Sequence, residues 1–279
     1  MDTRTQLGTE KGHRAILRRS VGWCAMSADT YTKTDRSAHP DFFAAEAAGL
    51  QWLRDGGATV VDVLDVDRTH IELERLIPTS PTGDAARRFG AELAGAHDAG
   101  ARQFGCPPEG FTGQMFIGAR PMSSVEHPSW GAFYIAERVL PFLRTAVDAG
   151  NISTSDAADV ERACGPVADG VFDDADPPAR IHGDLWTGNV VWTASGVVMI
   201  DPAAHGGHRE TDLAMLALFG APLLDDIVDG YRSVHPLRDG WEQRVPLHQL
   251  HPLAVHAAGH GPSYGVALRR AADAVARLS

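Results

Sequence analysis

One segment of this 279-residue chain, residues 180–202, combines a polar loop with a short β-hairpin, although the patterns on either side of it are helical. Two runs within it, Val190–Trp192 and Val197–Ile200, are rich in β-branched and aromatic residues and predict strands. Thr193–Gly196 lies between them and supplies turn residues. A hairpin set among helices restricts how the chain can fold, and the polar residues at its ends are the first candidates for chemistry.

Three oxygen-bearing side chains flank this hairpin. Asp184 stands five residues before Asn189, and Asp201 follows the second strand, so we expect the three groups to converge at one end of the hairpin. Phosphoryl transfer requires a base that accepts a hydroxyl proton, and oxygen ligands for Mg²⁺. We therefore predict Asp184 as the catalytic base and Asn189 and Asp201 as the magnesium ligands.

The spacing matches that of a kinase catalytic loop, H-R-D-x-x-x-x-N, followed by the metal-binding D-F-G. His182-Gly183-Asp184 and Asp201-Pro202-Ala203 occupy the corresponding positions. The alternative is an Asx-type turn before a strand, with Asp201 capping the next segment. Because Gly183 stands where protein kinases have the arginine that senses a phosphorylated activation loop, we expect activity without a phosphorylation switch.

The rest of the chain divides into two parts of different pattern. The first has one predicted helix, residues 40–54, and strand-like runs at residues 15–17, 21–23, 26–34, 60–64 and 70–74. Pro78 and Pro81 mark a linker, and the patterns after it predict helices over 84–97, 130–148, 154–170, 211–219, 222–233 and 246–258. With the motifs above, this predicts an α+β, bilobal protein-kinase-like fold. Residues 1–77 would form a small nucleotide-binding N-lobe with an antiparallel sheet and one helix, and residues 78–279 a larger, mainly helical C-lobe with the catalytic loop and the substrate site.

Positive charge for the phosphates of ATP is expected from the N-lobe. Lys33 lies on a predicted strand, and Glu46 lies on the apolar side of the predicted helix. A carboxylate on that side requires a cation, because an unpaired buried charge is strongly destabilising. We predict that Lys33 pairs with Glu46 and contacts the α- and β-phosphates. The alternative for Lys33 is a solvated lysine on a strand.

Two further segments are candidates for nucleotide contacts. Ile71–Leu76 lies where the chain passes between the predicted lobes, and the backbone groups of such a segment can bind an adenine ring in an apolar cleft. Glu74 and Leu76 are therefore predicted to bind the nucleotide; the alternative is an ordinary edge strand. Gly8 and Gly12 form a sparse version of a glycine-rich phosphate loop.

Composition narrows the class of partner. The formal net charge of −11 argues against a nucleic-acid ligand, which calls for a basic face. No run of eighteen apolar residues and no secretory pattern occurs, so we expect no membrane partner and a cytoplasmic location. Cys24, Cys106 and Cys164 form neither a CxxC pair nor an even disulfide set, and we expect them to be reduced. A small-molecule substrate is the remaining expectation.

Over nearly its whole length the chain resembles the fructosamine kinases, which are relatives of the aminoglycoside phosphotransferases. The most specific stretches are His182–Asn189, with a tryptophan after Asp-Leu, and Asp201–Met215, followed by Leu218–Gly220. The resemblance implies ATP and Mg²⁺ as cofactors. It also implies transfer of the γ-phosphate to a sugar hydroxyl of a ketosamine, which is an amine or a protein lysine glycated by a sugar, in a deglycation repair reaction.

The resemblance implies residue roles as well. It assigns the same roles to Asp184, Asn189, Asp201, Lys33 and Glu46 as the spacing does. Trp186 would lie beside the substrate, where an indole face can stack on a sugar ring; the alternative is a core tryptophan. Asp212 would brace the catalytic loop through hydrogen bonds to backbone amides.

Two rival functions stay open. The first is another small-molecule kinase of the same fold, acting on an aminoglycoside, a choline-like alcohol or a thio-sugar. The second is a nucleotide-binding protein without turnover, although Asp184, Asn189 and Asp201 together favour an enzyme. The sequence leaves the oligomeric state open.

Overall fold

The computed structural model describes residues 22–26 and 29–278. The predicted strand at 15–17 and the Gly8 to Gly12 loop lie outside these residues. No helix within the described ranges is both long and apolar enough to span a membrane.

Four strands form the antiparallel sheet of the amino-terminal part, in the order β1-β2-β4-β3. They are β1 Gly22–Met26, β2 Thr30–Thr34, β3 Val63–Val66 and β4 His70–Glu74. β2 pairs with β4 along its full length, and Lys33 lies opposite Ile71. Helix α1, Phe42–Asp55, confirms the predicted helix and buries Phe43, Leu50 and Leu53 on one face, as their helical spacing indicates.

Most of the remaining chain is helical, as predicted. The helices are α2 Gly83–Asp98, α3 Trp130–Phe133, α4 Leu140–Asp148, α5 Thr154–Ala168, α6 Glu210–Leu218, α7 Leu224–Val234, α8 Trp241–His248, α9 Leu250–Ala257 and α10 Pro262–Val275. A π-helical turn, Tyr134–Val139, joins α3 to α4.

One helix prediction was wrong, and one helix was not predicted. The single helix expected over 246–258 is divided between α8 and α9, which meet at Gln249, and α8 already begins at Trp241. The last residues of α8, Leu247 and His248, and nearly all of α9 are buried, so the hydrophobic pattern runs across the junction and hides it. Helix α10 was not predicted, although Pro262 stands at its first turn, where proline favours a helix start.

Short strands occur in three pairs within the helical part. The predicted hairpin is confirmed as β8 Val190–Thr193 and β9 Gly196–Met199, with Thr193 opposite Gly196. The other pairs are β5 Met115–Ile117 with β6 Arg120–Met122, and β7 Ala179–Ile181 with β10 His205–Gly207. The expectation that residues 180–202 hold the only strands of this part was therefore wrong, because three-residue strands are too short to show an alternating pattern.

The hairpin β8–β9 is joined to the N-lobe by backbone hydrogen bonds. The Val61 amide donates to the Met199 carbonyl at 3.1 Å, and the Met199 amide donates to the Thr59 carbonyl at 3.0 Å. The two parts also share one buried core, which contains Phe43 and Leu50 of α1 together with residues of the hairpin. A second core lies among α3 to α5 and α8 to α10. The end of the hairpin next to Asp201 is thus held against the N-lobe.

Helices α2 and α7 approach closely because glycines lie at their contact. A Cβ atom on Gly90 would lie 1.9 Å from the Ile227 carbonyl oxygen, and one on Gly230 would lie 2.0 Å from the Arg87 carbonyl oxygen. Neither position has room for a side chain. The contact brings the first half of α2 next to the middle of α7.

This contact predicts opposite effects for two substitutions in one helix. Gly90→Ala should lower the free energy of unfolding by about 1–3 kcal/mol, the usual cost of overpacking. Gly95→Ala is the matched control, since among the described residues no atom outside its own stretch of helix backbone and its chain neighbours lies within 4 Å of its Cβ position. It should raise the free energy of unfolding by roughly 0.5–1 kcal/mol through helix propensity. Urea unfolding of both variants measures the difference, and equal effects would contradict the close approach.

Candidate active site

The three predicted chemical groups of the hairpin lie together. The Asn189 side-chain amide donates to the Asp184 carbonyl oxygen at 2.8 Å and to the Asp184 carboxylate at 3.2 Å. The same nitrogen lies 3.4 Å from the Asp201 carbonyl oxygen. One amide therefore joins the predicted base to the segment that carries the predicted metal ligand.

Unusual backbone conformations shape both segments. Gly183 has a φ of 79°, and a Cβ atom there would lie 2.4 Å from the Ala203 carbonyl oxygen. Asp201 has a φ of 55°, which is uncommon for a residue with a side chain. The glycine before Asp184 is thus required by packing against the Asp201 segment.

Asp212, in the first turn of α6, braces the catalytic loop as predicted. Its carboxylate accepts hydrogen bonds from the His182 amide at 2.8 Å and the Gly183 amide at 3.0 Å. Burial raises the pKa of Asp212, but hydrogen bonds, with His97 foremost, outweigh it and lower the pKa. The buried carboxylate therefore stays ionised and holds the two amides in place.

His182 links the catalytic loop to the strand before Asp201. Burial lowers its pKa, so the imidazole is neutral. Its Nε2–H donates to the Ile200 carbonyl at 2.9 Å, and its Nδ1 accepts from the Asp184 amide at 3.2 Å. A single ring thus fixes the backbone on both sides of the site.

Lys33 reaches the site from β2. Its Nζ lies 2.7 Å from the Glu46 carboxylate, which is the ion pair that the sequence predicted, and it also pairs with Asp201. Burial lowers the pKa of Lys33, but the charges of Asp201 and Glu46 outweigh it, and the pKa is raised. The contact with Asp201 was not predicted. It connects the N-lobe sheet to the predicted metal ligand.

Negative charge accumulates where the metal is predicted. Burial, and then the charge of Asp201, raise the pKa of Asp184 well above its usual range, and the Asn189 amide only partly offsets them. A cation between these groups would relieve the repulsion. Carboxylate and amide oxygens are the ligands that Mg²⁺ prefers. The residues present therefore fit the predicted metal, and its binding by Asn189 and Asp201 stays a prediction.

Of the two residues predicted to contact the nucleotide, Leu76 is better suited to bind an adenine ring than Glu74. The Glu74 amide is already bonded to the Asp62 carbonyl at 2.9 Å, and the side chain of Glu74 is exposed. Leu76 is partly buried, and within residues 29–278 its backbone groups make no hydrogen bond to another backbone group. The nucleotide role of both residues stays a prediction, with Leu76 the better placed.

Trp186 is half-buried beside the catalytic loop. Its indole contacts the Phe219 ring edge-to-face, with 5.7 Å between centroids, and the Phe219 ring lies 4.9 Å from that of His256. A Cβ atom on Gly188 would lie 2.2 Å from the indole, so glycine leaves room for this ring. Trp186 belongs to neither of the two buried cores of the described residues. Its contact with substrate stays a prediction.

Two carboxylates and an amide lie together at one end of a hairpin, and a paired lysine reaches them from an antiparallel sheet. This arrangement defines a phosphotransferase of the protein-kinase-like fold. Residues 15–277 match the family described as fructosamine kinase. The chain belongs to the fructosamine kinase family, and it is an ATP-dependent kinase.

Several relatives share most of the chain. A probable ketoamine kinase of Thermus thermophilus is 30% identical over 245 residues, which cover 87% of this chain and 86% of that protein. One of Enterococcus faecium is 30% identical over 233 residues, covering 81% and 82%. The crystal structure of a fructosamine-3-kinase candidate from Thermobifida fusca is 42% identical, with a TM-score of 0.82 over 92% of this chain and 94% of that one. An aminoglycoside phosphotransferase bound to AMP-PNP and hygromycin B has 14% identity and a TM-score of 0.58 over 96% and 98%, which shows the fold alone.

The position of Asp201 predicts a metal-dependent loss of nucleotide affinity. In Asp201→Ala, the gain in ATP affinity on adding Mg²⁺ should largely disappear, because a hard cation loses its anionic oxygen ligand. Calorimetric titration of ATP with and without Mg²⁺ measures this gain. Asp65→Ala removes a carboxylate of β3 that is 63% exposed and serves as the control. An unchanged metal effect in Asp201→Ala would refute the assignment.

Proposed function

We propose that this kinase transfers the γ-phosphate of ATP to a sugar hydroxyl of ketosamines, the fructosamine and ribulosamine adducts of amines or protein lysines. The observation that carries the proposal is the Asn189 amide, which joins Asp184 to the Asp201 segment in a chain of the fructosamine kinase family. The names of the ketoamine kinase relatives support the same substrate class.

The residues of the site divide the chemistry among them. The acceptor oxygen bonds to the γ-phosphorus, the bond from that phosphorus to the β,γ-bridging oxygen breaks, and the hydroxyl proton passes to the Asp184 carboxylate. Burial and the charge of Asp201 raise the pKa of Asp184 in the metal-free site, and a bound cation would favour its ionised carboxylate, the form that accepts a proton. Lys33 supplies positive charge to the α- and β-phosphates. Asn189 and Asp201 would hold Mg²⁺, which when bound neutralises charge on the phosphate oxygens.

The proposal includes a physiological role. Phosphorylation of the hydroxyl on the third sugar carbon makes the adduct labile, so that the amine is released and the glycation is reversed. Either free amines or protein lysines could be the substrate. We place this deglycation repair in the cytoplasm.

A substrate panel tests the acceptor class. Ribulosamine, erythrulosamine and fructosamine derivatives of lysine should each give ketosamine-dependent ADP release, whereas an aminoglycoside and choline should give none. ADP release with the aminoglycoside or choline alone would replace the proposed substrate by the rival class. ATP binding without turnover on any acceptor would favour the non-catalytic alternative.

Asp184→Asn tests the base. The variant should lose roughly 10²–10⁴-fold in kcat, the usual contribution of general-base catalysis, because an amide cannot accept the proton. ATP affinity should change little. Asp229→Asn, a change to an exposed carboxylate of α7, is the control for an altered charge. Retention of most of the wild-type rate by Asp184→Asn would exclude Asp184 as the base.

Trp186→Ala tests the acceptor contact. If the indole stacks on the sugar, the variant should lose roughly 1–3 kcal/mol of acceptor binding, by analogy with stacking on nucleic-acid bases, and ATP affinity should hardly change. Trp192, in β8, is 8% exposed and lies in the buried core, so Trp192→Ala is the control for loss of packing. That control should lower the free energy of unfolding by about 3–5 kcal/mol.

Melting temperature, ATP affinity and acceptor KM are measured on both tryptophan variants. A selective rise in acceptor KM for Trp186→Ala supports stacking. A large stability loss without such selectivity would make Trp186 a packing residue like Trp192.

A further inference from the structure

Arg209 lies in the stretch most specific to the family, yet its side-chain hydrogen bonds go to Asp98, Asp176 and Tyr231, none of which has a role in the proposed reaction. Its side chain is 3% exposed. The guanidinium donates to Asp176 at 3.0 Å through Nε, and to Asp98 at 2.9 Å through Nη1. Nη1 also lies 3.2 Å from the Tyr231 hydroxyl, to which it donates. Two partly exposed carboxylates thus hold a buried arginine against a buried tyrosine.

The hydrogen bonds continue from Tyr231 to the catalytic loop. The Tyr231 hydroxyl lies 2.8 Å from His97 Nδ1, and His97 Nε2 lies 3.1 Å from the Asp212 carboxylate. The side chains of His97 and Asp212 are both 0% exposed. Asp212 in turn accepts from the amides before Asp184. We call Arg209, Tyr231, His97 and Asp212 the brace network.

The chemistry of its two ends fixes the direction of every hydrogen bond in the brace network. A guanidinium only donates and an ionised carboxylate only accepts. Tyr231 must therefore accept from Arg209 and donate to His97 Nδ1, and His97 must donate to Asp212 through Nε2–H. Burial raises the pKa of Tyr231 and lowers the pKa of His97, so both groups stay neutral and keep the single proton that this order requires.

The brace network also ties three helices together. Arg209 and Asp212 flank the start of α6, while His97 lies at the end of α2 and Tyr231 in α7. The hydrogen bonds therefore connect Arg209 to Asp212, both at the first turn of α6, through Tyr231 of α7 and His97 of α2. The glycine contact between α2 and α7 makes this path short enough.

We propose that Tyr231 and Arg209 are positioning residues for phosphoryl transfer, which act through His97 to hold Asp212 against the amides of the catalytic loop. The proposal rests on the proposed function in one respect, that this loop carries the base. With the network intact, the Nε2–H of His97 is a fixed donor to the Asp212 carboxylate. The carboxylate also accepts from the amides of the loop. Without it, the carboxylate can rotate, and the base is held less firmly.

Tyr231→Phe removes one hydroxyl and keeps the ring. We expect kcat to fall roughly three- to tenfold, the range that corresponds to one ordinary hydrogen bond, while the KM for ATP stays unchanged. Tyr134→Phe is the matched control. Tyr134 is also fully buried, and its hydroxyl donates only to the carbonyls of Leu247 and His248 among the described residues. It should lose stability without losing kcat. An equal fall in kcat in both variants would reduce Tyr231 to a general packing role.

A double-mutant cycle tests whether the effect passes through His97. His97→Leu removes both ring nitrogens, and His97→Gln keeps one donor and one acceptor and should retain more kcat than His97→Leu. In the His97→Leu background, Tyr231→Phe should cause no further loss of kcat, because the path is already broken. Additive losses in the double variant would overturn the proposal.

A spectroscopic readout separates this proposal from the proposed function. In protein labelled with ¹⁵N-histidine, the His97 Nδ1 resonance, identified among 13 histidines by its absence in His97→Leu, should shift in Tyr231→Phe and stay in Tyr134→Phe. The His182 and Gly183 amides should exchange with solvent faster in Tyr231→Phe alone. These signals need no substrate. If the wild type were inactive on ketosamines, the proposed substrate would be refuted, and the spectroscopic signals would still test the brace network. Unchanged signals would overturn the network.

Discussion

The ionised, fully buried carboxylate of Asp212 is the interaction on which the catalytic loop depends. A buried charge is tolerated only when hydrogen bonds replace the water it has lost. Asp212 receives them from His97 and from the amides of His182 and Gly183. The same hydrogen bonds stabilise the buried carboxylate and fix the backbone of the loop. The loop that presents Asp184 is therefore bonded directly to α6 at Asp212, and through His97 to α2.

The structure of the site also depends on the arrangement of its positive and negative side chains. Lys33 lies between Glu46 of the N-lobe and Asp201 of the hairpin segment, so one cation connects two carboxylates from different parts of the fold. Asp184 and Asp201 remain close enough to repel each other. Excess negative charge beside a fixed lysine suits a site that must receive a polyphosphate together with a divalent cation. The Asn189 amide holds these like charges together, because it donates to the Asp184 carboxylate and lies 3.4 Å from the Asp201 carbonyl oxygen.

Local sequence was sufficient for those features that depend on spacing along the chain. The interval between Asp184 and Asn189 placed the loop, and the turn residues around Thr193 placed the hairpin. The apolar face of α1 located Glu46, and the chemistry of a buried carboxylate then selected Lys33 as its partner. Helix boundaries were less predictable. The junction at Gln249 and the short β5–β6 hairpin leave no clear periodicity, because their residues are buried from several directions.

The sequence by itself determined which residue types could perform the chemistry and on which helix or strand most of them lie, since periodicity and turn preference are local properties. Only the tertiary structure decided which of them meet. Lys33 and Asp201 are 168 residues apart, and His97 and Tyr231 are 134 apart. Contacts of that kind depend on how closely helices approach, as at Gly90 and Gly230, and on the left-handed backbone at Gly183 and Asp201. No local pattern encodes such distances, because each is set by the packing of several elements at once.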